Sequence, residues 1–132
     1  MNPTSHREHY LGAPESYRLD QACRQLVDAF GAHVFLCGSS LERPDYRDVD
    51  VRAVLKDEDF ARLFPPNTNT YCISGLWSLI CASVSLNLSQ ATGLKIDFQI
   101  QSWSEHVKHD KRCVVLGWVM PRQQPEEIQV DE

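Results

Sequence analysis

The chain has 132 residues, 42% hydrophobic and 23% charged, the composition of an ordinary globular protein of about one domain. A formal charge of −5 argues against a grip on extended nucleic acid, which needs a basic face, but leaves small nucleotides open because a bound cation brings its own charge. No apolar run is long enough to cross a bilayer and the start, Met1 to His9, lacks the apolar core of a secretory signal, so a cytoplasmic protein without membrane contact is expected.

Residues 1–13 are expected to form a flexible arm. From Glu15 to Phe30, the residues Leu19, Ala22, Cys23, Leu26, Val27 and Phe30 recur at helical spacing and Gly31 supplies a stop, which predicts an amphipathic helix. His33 to Gly38 predicts a buried strand, Ser39 to Arg47 a loop or short helical turn, and Asp48 to Leu55 a second strand. Asp57, Glu58 and Asp59 offer an N-cap and first-turn acids for a short helix through Phe64, which Pro65 and Pro66 end.

After the polar link at 67–70, Tyr71 to Gln90 carries Ile73, Leu76, Trp77, Ile80, Val84 and Leu88 at helical spacing. Trp77 then belongs to the core. Ser74, Ser78, Ser85 and Ser89 form a stripe of small residues that allows close packing. Gly93 ends this helix and Lys95 to Ser102 predicts a third strand, with Asp97, Gln99 and Gln101 on one face and Ile96, Phe98 and Ile100 on the other. Ser102-Trp103-Ser104-Glu105 fits a capping box for a short helix to about Asp110, and Cys113 to Met120 predicts a fourth strand. The acidic segment 121–132 is expected to be a flexible tail. The element order implies an α/β fold: a single small domain over 14–120, with a mixed sheet of about four strands packed on helices.

Chemistry concentrates between Val34 and Val51. Alternation along a strand points Asp48 and Asp50 the same way, with Val49 and Val51 opposite. Two like charges side by side need water or a cation, and hard divalent cations prefer such oxygen ligands. A third acid, Asp97, joins them if its strand lies beside theirs. Arg52 shares the face of Asp48 and Asp50. The cysteines, Cys23, Cys37, Cys72, Cys81 and Cys113, are odd in number and scattered in apolar segments, which reads as buried thiols in a reducing compartment. Cys37 stands out because it precedes Gly38 at the edge of the acid site. The pairs His6/His9 and His106/His109 lack a third ligand and are expected to be surface residues.

An apolar strand, Gly38-Ser39, a short spacer, Asp48-Val49-Asp50-Val51 and a later strand bearing Asp97 resemble the signature of the nucleotidyltransferase superfamily. That superfamily includes DNA polymerase beta, the aminoglycoside nucleotidyltransferases and the minimal nucleotidyltransferases of toxin-antitoxin modules. The likeness spans roughly residues 15 to 102. It implies transfer of a nucleoside monophosphate from a nucleoside triphosphate such as ATP to an acceptor hydroxyl, with pyrophosphate leaving. It further implies Mg2+ or Mn2+ held by Asp48, Asp50 and Asp97, Asp97 also being suited to take the acceptor's proton. Phosphates would be bound by Gly38, Ser39 and Ser40, with Arg43, Arg47 and Arg52 neutralising charge. Ser40 stands where many small members carry a basic residue, a charge that Arg43 and Arg47 can supply.

The acceptor could be a small molecule, a protein or an RNA end. The chain is too short for the accessory domain by which larger members recognise acceptors, so a second copy or a protein partner would provide that surface. The competing reading is a non-catalytic nucleotidyltransferase-like interaction or inhibitor protein with a degenerate site. A further one is a structural cation site in an unrelated α/β protein.

Overall fold

The computed structural model describes residues 9–65, 75–109 and 112–117. The expectations for His6, for Cys72, Ile73 and Ser74, for the link at 67–70 and for the tail lie outside these residues. The elements in chain order are α1 (Ala13–Phe30), β1 (His33–Cys37), a 3-10 turn (Gly38–Leu41), β2 (Val49–Leu55), α2 (Asp57–Leu63), α3 (Gly75–Thr92), β3 (Ile96–Ser102), α4 (Trp103–His109) and β4 (Val114–Leu116).

Each boundary has a local cause. Pro14 falls in the first turn of α1, where its missing N–H costs nothing, and Gly31 ends the helix at φ 57° with its N–H donated to the Val27 carbonyl. The last strand, expected from Cys113 to Met120, is seen over Val114–Leu116, and positions 118–120 lie outside the described residues. Gly117 turns into the left-handed region at φ 65°, its N–H donates to Asp20 Oδ1 at 2.7 Å, and a Cβ there would lie 2.8 Å from the Cys23 backbone. Gly117 thus stops β4 at Leu116 and fastens it to α1. The domain also reaches further toward the N-terminus than position 14. Leu11 is buried and the Tyr10 N–H donates to the Ser40 carbonyl at 2.8 Å, so residues 10 and 11 of the expected arm are tied to the body.

The four strands form one mixed sheet in the order β3-β2-β1-β4. β1 runs antiparallel to β2 and β4, whereas β2 and β3 are parallel with Val49 opposite Ile96 and Leu55 opposite Ser102. That register sorts the side chains. Val34, Leu36, Val49, Val51, Ala53, Ile96, Phe98, Ile100 and Leu116 are buried and form, with Leu19, Cys23 and Leu26 of α1 and Cys81 and Leu88 of α3, one continuous core. The opposite face carries Asp50, Arg52, Asp97 and Gln99, and α4 contacts β2 and β3.

The serine stripe of α3 does more than allow close packing. Among the described residues β3 is an edge strand, with one side of its backbone unmatched by a strand. Four residues of helix rise about 6 Å and two of strand about 7 Å, so a helix laid along the edge can meet alternate strand residues with every fourth side chain. Ser89 and Ser85 do so here: Ser89 Oγ accepts from the Ile96 N–H at 3.0 Å and Ser85 Oγ accepts from the Phe98 N–H at 2.9 Å. The longer Trp77 side chain, eight residues before Ser85, reaches the next alternate position, where its indole N–H donates to the Ile100 carbonyl at 2.9 Å. Trp77 packs against the core, as its spacing predicts, while its polar edge closes the sheet.

Two helix starts differ from expectation. α2 follows Lys56 with no side-chain cap, because Asp57 is engaged elsewhere: its carboxylate accepts from both the N–H and the hydroxyl of Ser104, in the first turn of α4. Those bonds hold the Asp57 carboxyl below its ordinary value of 3.8. α4 has only half of its capping box. Ser102 Oγ accepts from the Glu105 N–H at 3.2 Å, but the Glu105 carboxylate turns to His109 Nε2 at 2.9 Å. No helix among the described residues is long and apolar enough to cross a membrane.

Candidate phosphate and metal site

The site lies where β1 ends, at the head of the open sheet face. Cys37 is the register partner of Asp50 on β2, and Asp50 is in turn the partner of Asp97 on β3. The two carboxylates therefore come from adjacent parallel strands at the same level. Gly38 follows Cys37 at φ 82°, a conformation L side chains rarely adopt, and a Cβ at this position would overlap Asp50 Oδ2. A glycine is required here twice over, for its backbone and for the space that the Asp50 carboxylate fills.

Behind it the chain winds into the 3-10 turn, closed by the Glu42 and Arg43 N–H groups donating to the Ser39 carbonyl at 2.9 and 3.1 Å. Ser39 is half-buried at the surface of this turn. Ser40 is not available to a ligand in the same way: it is fully buried, and its hydroxyl has no hydrogen-bond partner among the described residues. Its carbonyl accepts from the Tyr10 N–H, which ties the turn to the N-terminal segment.

The three acids divide into a pair and an outlier. Asp48 precedes β2 and stands level with Lys95, whose Nζ lies 3.4 Å from Asp48 Oδ1; that oxygen is enclosed but receives no well-directed hydrogen bond. Lys95 was a residue that strand alternation could have placed on the acid face, two positions before Asp97. Asp50 and Asp97 instead share Arg52. Its Nη2 sits 3.7 Å from Asp50 Oδ1 and 3.6 Å from Asp97 Oδ2, distances of charge contact and not of hydrogen bonding. The guanidinium is fixed by its Nη1, which donates to the Asp97 and Val51 carbonyls at 2.8 and 3.1 Å. Arg52 is thus a cation that offsets the charge of the two adjacent carboxylates.

The remaining arginines are apart from the pair. Arg43 Nε lies 3.6 Å from Asp45 Oδ1 on the exposed loop, and Arg47 is exposed on the same loop. Both are within the segment that leads into the acid row, but neither is held against Asp50 or Asp97 by any contact of the kind that holds Arg52.

The donor chemistry of Asp50 and Asp97 suits Mg2+, since two hard carboxylate oxygen groups face one space backed by a glycine. The geometry is not a three-acid cluster. Among the described residues no group of three His, Cys, Asp or Glu side chains is arranged to hold a metal ion, and Asp48 lies against Lys95. About 7 Å further along β3, one pleat from Asp97, Gln99 begins a cleft of ≈ 660 Å³ walled by Phe60, Trp77, Gln101 and His109. It has the aromatic walls and side-chain amides that a flat polar ring needs.

Sequence reasoning placed His106 on the surface with His109. His106 is in fact buried, stacked on Phe35 with ring centroids 5.1 Å apart and planes 10° apart, while His109 is exposed. Helix period alone puts the two on one face but does not say that α4 lies across the sheet. The chain was compared with protein-family models, with curated proteins and with solved structures, and none of the three comparisons yields a match.

Proposed function

We propose that the protein binds a nucleoside triphosphate at the Gly38-Ser39 turn and transfers its nucleoside monophosphate to an acceptor hydroxyl. The observation that carries this reading is the alignment of Asp50 and Asp97 on parallel strands, with the Asp50 carboxylate occupying the space left by Gly38. Phosphoryl chemistry asks chiefly for positioning and charge neutralisation, and this arrangement offers both. Asp50 and Asp97 would hold Mg2+, with Asp48 joining on exchanging Lys95; the metal supplies positive charge at the phosphates. Arg52 is the residue that must give way or turn its charge toward the phosphates. Asp97, more exposed than Asp50, is placed to accept the acceptor's proton. The cleft beside Gln99 would take the base or the acceptor.

A second reading rests on Arg52 itself. A guanidinium seated between the two acids and anchored to two carbonyls does the work of a cation without one, as a degenerate site would. A single experiment separates the readings. Thermal melts with each of the four ribonucleoside triphosphates, with and without Mg2+, should show a Mg2+-dependent rise on the order of 10 °C at a hundredfold excess over Kd. The rise should vanish in Asp50→Asn and Asp97→Asn, which should melt like wild type without ligand. Pyrophosphate release then marks an enzyme, and binding without release marks a degenerate binder. No rise with any triphosphate would overturn the nucleotide site altogether.

A further inference from the structure

At the other side of β1 the open face carries a second constellation. Leu36 pairs with Val114, so Cys37 and Cys113 are the next opposed residues of the antiparallel β1 and β4 strands. Opposed residues of such strands have Cα atoms about 4.5–5.5 Å apart, within the range a disulfide spans. Their sulfurs are 3.1 Å apart. Cys113 Sγ also lies 3.7 Å from His106 Nε2, and His106 Nδ1 meets Gln101 Oε1 at 3.0 Å. An amide oxygen accepts, so Nδ1 carries the ring proton and Nε2 presents its lone pair to Cys113. The stack on Phe35 holds the imidazole in that plane.

We propose that Cys37 and Cys113 are an oxidisable dithiol, with His106 as the base that activates Cys113 and peroxide as the oxidant. Cys113 is half-buried and Cys37 is buried, so peroxide meets Cys113 first. His106 Nε2 takes the Cys113 proton and the thiolate attacks one peroxide oxygen: an S–O bond forms, the O–O bond breaks, and the departing oxygen leaves as water with that proton. The Cys37 sulfur then attacks the sulfenic sulfur, the S–S bond forms, the S–O bond breaks, and a second water leaves carrying the Cys37 proton. Two thiols and one peroxide become one disulfide and two waters, with two electrons passing from sulfur to oxygen. The sulfurs need close only to about 2.05 Å.

The other thiols among the described residues, Cys23 and Cys81, are poorly suited to this chemistry. Burial pushes Cys23 up to about 12, with Asp20 adding to the effect, and burial raises Cys81 as well. The new bond would clamp the residue that precedes Gly38 and faces Asp50, which couples the dithiol to the acid site.

The test uses the full chain treated with hydrogen peroxide, blocked with N-ethylmaleimide and digested with trypsin without reduction. Cys37 and Cys113 fall in tryptic peptides 25–47 and 113–122, whereas Cys72 and Cys81 share peptide 63–95, so the link is identified by its mass. A 25–47 peptide joined to 113–122, about 2 Da lighter than the two thiol peptides together, is expected. In Cys37→Ser the reaction should halt at a sulfenic acid on Cys113 that dimedone captures. In His106→Gln that capture, measured on the Cys37→Ser background, should be about tenfold or more slower. Both thiols alkylated after peroxide, or a link to Cys72 instead, overturns the dithiol. A disulfide formed at the same rate without His106 overturns the role of the imidazole, and dimedone capture in Cys37→Ser keeps the dithiol testable even where the His106 variant fails to fold.

Discussion

The two faces of the sheet are made by the same strands, often by adjacent residues, yet they are held by different forces. On the closed face Val51, Ala53, Phe98 and Ile100 have lost nearly all contact with water and have no alternative partner as good as the core. On the open face Asp50, Arg52, Asp97 and the Asp48–Lys95 pair keep access to water, and their charges meet at 3.4–3.7 Å with Arg52 also anchored to two backbone carbonyls. Dispersion and burial give the first face one arrangement. Charges still reachable by solvent can exchange partners at small cost, which a ligand site requires and a core must not allow.

The largest effect that distinguishes the faces should come from Phe98 and Asp97, neighbours in sequence on opposite sides of β3. Phe98→Ala should lower unfolding free energy in urea by about 3–5 kcal/mol. Asp97→Asn should change it by less than about 1 kcal/mol, so equal losses would mean that the open face is packed as a core.

A middle-sized effect tests the edge. Ser85→Ala removes the acceptor of the Phe98 N–H and should cost about 1–3 kcal/mol, while Ser78→Ala, exposed on the same helix, should stay within about 0.5 kcal/mol. If both variants melt alike, α3 does not close the edge of β3 through its serines.

The smallest effect is on pH dependence. Ser104 lowers the Asp57 carboxyl below 3.8, so its contribution is present above 3.8 and is lost as pH falls through the lower folded value. Wild type should therefore melt above Asp57→Ala at neutral pH, and the gap should close in acid below 3.8. A gap that stays constant with pH would show that the carboxylate charge is not what joins α2 to α4.

Much of this fold is legible one element at a time. Helical spacing locates α1 and α3, strict alternation assigns Ile96, Phe98 and Ile100 to the opposite face from Asp97 and Gln99, and Gly31 ends α1 as expected. What alternation could not supply is which strands are neighbours. That choice puts Asp50 beside Asp97 and Asp48 beside Lys95. Similarly, Asp57 has the sequence context of an N-cap for α2, yet its hydrogen bonds go to a residue 47 positions away.

The sequence by itself determined the period of the helices and strands and the side to which each strand residue points. Those depend on steric and hydrophobic preferences that act within a few residues. Only the tertiary structure decided that Arg52 sits between Asp50 and Asp97, that Ser85 and Ser89 complete a sheet edge, and that Cys37, Cys113 and His106 meet. Such contacts join residues far apart in the chain, and their geometry follows from strand order and register, which local pattern does not encode.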